Sequence, residues 1–357
     1  MAAIAAGDKQ NWKIAYQRRS ILMKLGVTFL ALIVLTIYIM PLLYGVVNSL
    51  KSPEQAADIR APLIPSDPVN FVYQGEEYPV YEVPTDAGIQ QYAMIDAGRR
   101  TSTMIDVANP DAGTFEWEGN WRSLNPVTTV AFHWENYPEA WETIDFLRLL
   151  TNTLVYALVT TAGTVFASSM VAYGFARFRF PFKNLLFLVL MSTIILPPAV
   201  TLVPTYAFFV RVLDWGGTWL PMIVPQMFGN AYNIFLLRQY FLTIPREMEE
   251  AAMVDGAGRI RTFTAVILPQ AIPALTAVAL FHFFFAWNDF FGPLIYLAGN
   301  RRANPITVGL TEFNGLYSQQ PHLVLAAAII SMLLPLGIFF MAQRVFIQGI
   351  VITGVDK

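Results

Sequence analysis

Long apolar stretches separated by short charged connections set the plan of this chain. Leu25 to Val47 holds no charged residue. At the helical rise it reaches about 35 Å, enough to cross a hydrocarbon core. It is too long for the core of a signal peptide, and no small-residue cleavage site follows it, so it reads as a first span. Five further apolar segments follow, at 149–174, 185–210, 217–237, 266–296 and 322–343. The pattern therefore predicts an all-α polytopic membrane protein with six spans.

Composition points the same way. Of 357 residues, 55% are hydrophobic and 13% charged, with mean hydropathy +0.47, which leaves too little charge to clothe a soluble surface. Residues 51–146 are the exception, with sixteen Asp and Glu against five Lys and Arg. Alternations such as Phe71-Val72-Tyr73 and Tyr78-Pro79-Val80-Tyr81-Glu82-Val83, broken by Pro, Gly and Asp86-Ala87-Gly88, predict a small β-rich module outside the membrane. Its acidity either keeps it soluble or serves to receive a partner protein. The expected organisation is an N-terminal segment 1–24, a first span 25–50, the insertion 51–146, a transmembrane core 147–344 and a tail 345–357.

Lys and Arg in the short connections set the orientation. Lys9, Lys13, Arg18, Arg19 and Lys24 precede the first span; Arg177, Arg179 and Lys183 separate the second and third; Arg238, Arg246, Arg259 and Arg261 surround the polar stretch near residue 250. The other short connections hold only Arg211, Arg301 and Arg302. The positive-inside rule puts both termini and the 245–269 segment in the cytoplasm.

Several chemistries are excluded or left without residues. The chain has no cysteine and no Gly-Lys dipeptide, so it has neither thiol chemistry nor a P-loop to hold nucleotide phosphates. His133, His282 and His322 lie far apart and read as packed or interfacial side chains, so no metal is assigned. Neither cofactor nor nucleic acid is expected. Two features suggest a translocation path. Pro197, Pro198 and Pro204 interrupt the third span and free carbonyls there, either for a moving gate or as a fixed kink. Trp287, Asn288 and Asp289 end the fifth span, where an ionisable group faces the bundle interior or the outer water, or else sits in an interfacial aromatic belt. Together with Tyr206 these are the candidate path or gate residues.

The most specific signal is polar. Glu249-Glu250-Ala251-Ala252 is followed by Asp255-Gly256-Ala257 and, nine residues after the glycine, by Val266-Ile267-Leu268-Pro269. Pro245 suits a helix start, Glu247, Glu249 and Glu250 complement the N-terminal dipole, and Gly256 suits a left-handed stop. Two alanines on a short helix let another protein's surface approach its backbone.

This spacing resembles the EAA loop of bacterial ABC importer permeases. Leu196-Pro197, Val200, Val203-Pro204 and Tyr206 resemble the third span of the carbohydrate-uptake permeases, and Trp287-Asn288-Asp289-Phe290 with Pro293-Leu294 resembles their fifth. Ala172 to Pro181, and the tail from Gln343 through Gln348, Gly349 and Gly354 to Lys357, are similar to the maltose-type second permease. The likeness covers the first span and about residues 147–357.

The resemblance implies the type I ABC importer fold, with Glu249 to Ala252 and Asp255 to Ala257 seated in a cleft of an ATPase, and a tail whose Gln348, Gly349 and Gly354 reach the ATPase subunits. It implies a homologous second permease, two ATPase subunits that carry ATP and Mg, an extracytoplasmic solute-binding protein and a sugar substrate, in a bacterial or archaeal cytoplasmic membrane. The chain itself is then a transport subunit and not an enzyme. Peptides or polyamines are the alternative cargo. A secondary transporter is disfavoured, because the spans offer almost no ionisable group besides Asp289.

Overall fold

The computed structural model describes residues 2–58, 61–85, 88–313 and 320–351. They fall into two compact units, Met1–Asn136 with Gln320–Ala326, and Tyr137–Gln319 with Ala327–Lys357.

The first unit opens with helix α1 (Ala2–Ser49), whose Ser20–Ser49 stretch is long and apolar enough to cross a membrane. The β-rich insertion follows, and its strands are all antiparallel. They are β1 (Ser66–Pro68), β2 (Asn70–Tyr73), β3 (Glu76–Thr85), β4 (Gly88–Asp96), β5 (Thr101–Asp106), β6 (Thr114–Glu118), β7 (Asn125–Pro126) and β8 (Thr128–Val130). The main sheet runs β2-β3-β4-β5-β6 with β7 also on β3, while β1 pairs with β8. Gln74 and Gly75 both take positive φ, 54° and 90°, which gives the two-residue β2–β3 turn the twist its strands need.

Side chains alternate across the sheet, and both faces gather apolar residues. Val80, Ala93 and Ile105 cluster on one side, Val83, Met94 and Met104 on the other. The two ends of the insertion meet. The Asn136 amide, itself buried, donates to the carbonyls of Ser49 (2.8 Å) and Lys51 (2.9 Å), and the His133 amide N–H donates to Leu50 (3.0 Å). His133 bridges two carboxylates, Nε2 to Asp67 at 2.8 Å and Nδ1 to Glu135 at 2.6 Å. Burial alone would lower its pKa, but the two hydrogen bonds outweigh burial and hold it above the ordinary 6.5.

The second unit is helical: α2 (Phe146–Arg177), α3 (Lys183–Ile195), α4 (Pro198–Tyr206), α5 (Ala231–Thr243), α6 (Arg246–Val254), α7 (Ile272–Trp287) and α8 (Phe291–Tyr296). A last helix, α9 (Pro321–Val351), begins in the short segment that belongs to the first unit. Helix α2 is the centre of packing. Thr153, Thr160, Thr164 and Ser168 on it are fully buried, and small residues of this kind let neighbouring helices approach closely. Ala172, Tyr173 and Ala176 then form a core with Ile234, Leu237 and Phe241 of α5 and Val278 of α7.

The predicted spans are reproduced only in part. Among the described residues, Ser20–Ser49, Phe146–Arg177 and Pro321–Gln343 have the length and composition to cross a membrane. Two bent pairs, Lys183–Ile195 with Val200–Val212 and Arg259–Gln270 with Ile272–Trp287, bring the number to five if each is one span. The fourth expected span, 217–237, is not one helix. Short turns at Leu220–Ile223 and Pro225–Phe228 give way at Gly229 to α5. Pro221 and Pro225 withhold amide donors, and Gly229 adopts φ +75° against α2, where a Cβ would lie 2.6 Å from Ser168 Oγ.

Candidate functional site

Helix α6 starts directly after Pro245, whose extended backbone serves as its cap. It stops at Gly256, at φ +82°, where the Ala257 N–H returns to the carbonyl of Ala252 at 2.9 Å. The predicted glycine stop is therefore present, one residue beyond Asp255. A Cβ at Gly256 would meet nothing within 4 Å, so only the backbone demands glycine there.

Glu249 faces inward. It forms an ion pair with Arg177 at the end of α2, with side chains only 11% and 5% exposed respectively. The Tyr173 hydroxyl donates to Glu249 Oε2 at 3.4 Å, and Arg177 Nη2 donates to the carbonyl of Ile244 at 2.6 Å. Tyr173 stacks on Phe263, ring centroids 4.7 Å apart, and the Arg259 guanidinium lies 5.0 Å over Phe178. These groups surround a cavity of about 160 Å³. One short helix is thus fastened to the bundle by a buried charge pair, an arrangement that transmits force without slack.

The other residues of the stretch point outward or sit at the edge. Glu250, Ala251, Asp255 and Gly256 are exposed, and Ala252 and Ala257 half-buried. Beside them Met253, Val254 (87% exposed) and Ile260 (81% exposed) stand in the open. Bare apolar side chains ringed by charge mark a contact surface. Their signal in the sequence was the apolar Met253-Val254 pair and lone Ile260 inside a polar stretch.

The path candidates separate into two sets, with no hydrogen bond or ring contact joining them among the described residues. Asp289 accepts from the Tyr156 hydroxyl at 2.8 Å and from the Gly292 N–H at 3.1 Å, while its carbonyl accepts from Thr307 at 2.6 Å. The carboxylate therefore ties α2 to the α7–α8 turn. Trp287 is buried; Asn288 is exposed and donates to the carbonyl of Phe284. In the other set, Tyr206 stacks on Tyr296 with centroids 6.0 Å apart, Pro204 lies exposed within α4, and Pro197 is exposed at its start. A widened helical turn, Ala207–Val212, follows Pro204. In the tail, Gln348 and Gly349 lie on α9, and Gly354 is outside the described residues.

The second unit thus combines one long apolar helix and two bent apolar pairs with the short helix α6 pinned to α2. The profile of the binding-protein-dependent transport system inner membrane component matches residues 160–350, and the chain belongs to that family. It is accordingly a permease subunit of a binding-protein-dependent ABC importer, in which ATP is hydrolysed by a separate subunit. The osmoprotective compounds uptake permease protein GgtD of Synechocystis sp. is 32% identical over 65% of this chain and 78% of its own length. The sn-glycerol-3-phosphate transport system permease protein UgpE of Pectobacterium atrosepticum is 33% identical over 63% and 83%. Among solved structures, a bacterial ABC transporter involved in import of the acidic polysaccharide alginate shares the fold, with TM-score 0.62 at 18% identity over 90% of this chain and 95% of that one.

Proposed function

We propose that this chain is the second permease of a sugar or oligosaccharide importer, spanning the membrane six times with both termini in the cytoplasm. Its third, fourth and fifth spans are interrupted, its residues 51–146 lie outside the cell membrane, and its coupling loop 245–269 seats in a cleft of an ATPase. A homologous permease, two ATPase subunits that bind ATP and Mg, and an extracytoplasmic solute-binding protein complete the machine. The observation that carries this reading is α6. It is pinned inward by Glu249 and Arg177 and bare outward at Met253, Val254 and Ile260, so that a push on its outer face moves α2 and the helices packed on it. The tail, through Gln348, Gly349 and Gly354, adds a second contact to the ATPases.

The sugar assignment rests on the third- and fifth-span motifs and on relatives that carry osmoprotective compounds and a polyol phosphate. Affinity capture of the chain from detergent, followed by subunit identification, should return a second permease, an ATPase and a solute-binding protein. Uptake assays with that complex in proteoliposomes should then show import of a sugar. A captured complex without an ATPase refutes the coupling role, and import of peptides or polyamines but no sugar refutes the cargo.

A further inference from the structure

The break in the fourth apolar segment opens onto a cavity that no coupling or gating role explains. It measures about 370 Å³, within the range of about 300–1,000 Å³ typical of small-molecule sites, and lies between α5 and α7. Asn230 caps α5 by accepting from the Asn233 N–H at 2.9 Å, which fixes Asn233 on the cavity wall. Asn233 is 3% exposed and lines the cavity with a carboxamide that can both donate and accept.

His282 lies on the facing wall and is equally buried. Its protonation pattern follows from its neighbours. Thr164 spends its hydroxyl proton on the carbonyl of Gln226 at 3.0 Å, so at 3.4 Å the imidazole Nε2–H must donate to the Thr164 oxygen. Nδ1 is then the acceptor of the ring. The rim is aromatic: Tyr232, Phe281 and Phe285 line the same cavity and are 52%, 43% and 62% exposed. No charged side chain lines it among the described residues.

We propose that this cavity is a solute subsite of the translocation path for a neutral, polyhydroxylated molecule, with Asn233 and His282 reading hydroxyl groups and the aromatic rim covering the apolar face of the ring. An amide that both donates and accepts, set beside an imidazole acceptor, matches hydroxyls, which also do both. A phosphate, carboxylate or ammonium brought here would be desolvated without a counter-charge, which is strongly unfavourable. The proposal deepens the sugar reading above and assigns to this permease a share of solute recognition.

The test uses the whole complex with its ATPases and solute-binding protein in proteoliposomes. The probes are radiolabelled maltose, trehalose and sucrose, with glycerol 3-phosphate and spermidine as charged controls. Asn233→Leu should lower uptake of the neutral sugar that the unaltered complex carries by about tenfold, the equivalent of one lost hydrogen bond. Tyr232→Ala, at a half-exposed rim position that tolerates truncation, should lower the same uptake several-fold. It serves as the deciding variant if Asn233→Leu does not assemble. Unchanged sugar uptake in the variants overturns the subsite and leaves the sugar importer standing. An unaltered complex that carries only glycerol 3-phosphate or spermidine overturns the sugar reading itself.

Discussion

Replacing Glu249 by alanine strips the coupling helix of its buried anchor. Arg177 would keep one acceptor, the Ile244 carbonyl, for a guanidinium whose side chain is 5% exposed. Tyr173 would lose its acceptor as well. Breaking a buried pair from one side costs about 3–5 kcal/mol, chiefly because the remaining charge is left uncompensated. Most of that falls on α6, a nine-residue helix whose other flank is exposed, so the loss appears as local opening more than as global unfolding. Amide hydrogen exchange at 246–257 should accelerate by about two to nearly four orders of magnitude, the factor that 3–5 kcal/mol implies, and solute-stimulated ATP hydrolysis should fall while subunits stay assembled. The double variant Arg177→Met with Glu249→Leu removes both charges and should recover most of the protection, since an apolar pair of similar volume replaces a buried ion pair at little loss. Unchanged exchange in Glu249→Ala, or no recovery in the double variant, would refute the anchoring argument.

Three other predictions follow from the same physics. At Gly256 the backbone alone sets the requirement, so Gly256→Ala and Gly256→Val should each destabilise the loop by about 1–2 kcal/mol and Gly256→Asn by less. Stimulated ATPase activity should follow that order, and equal activity in all three contradicts it. Asp289→Leu leaves the Tyr156 hydroxyl and the Gly292 N–H unpaired, at about 1–3 kcal/mol each. The melting temperature of the purified complex should drop by more than in Asp289→Asn, and equal melting would rule out the fastening role. The folded insertion holds the His133 proton above pH 6.5, where the unfolded chain releases it, so its stabilisation is full below about 6.5 and is lost as pH rises through the folded value. Protease resistance of the insertion should therefore fall as pH rises above about 6.5, and a His133→Gln variant with the same pH dependence would disprove this origin.

The features legible in the sequence were those carried by neighbouring residues. The alternations at Phe71 and Tyr78 became β2 and β3, and the helix-stop glycine at 256 took the expected conformation. What escaped depended on partners far along the chain. Glu249 looked like one more acidic residue at a helix N-terminus; its burial is decided by Arg177 on another helix. Asp289 likewise read as a candidate path residue, and its bond to Tyr156 on another helix was not visible in the sequence. The fourth apolar segment misled because hydropathy counts side chains and ignores how Pro221, Pro225 and Gly229 act together on the backbone. The place of Asn233 on a cavity wall was invisible too, because only packing brings His282 to the same cavity.

The clasp formed by Asn136 on the carbonyls of Ser49 and Lys51 also bears on how such a chain can change over evolutionary time. Because the entry and exit of the insertion are held together by Asn136, the His133 N–H and the β1–β8 pair, the stretch between them behaves as a cassette. Lengthening it raises the entropy of closure only logarithmically, by about 0.6 kcal/mol per doubling. Sheets of different size or charge can thus be exchanged at this point while the helices on either side keep their sequence.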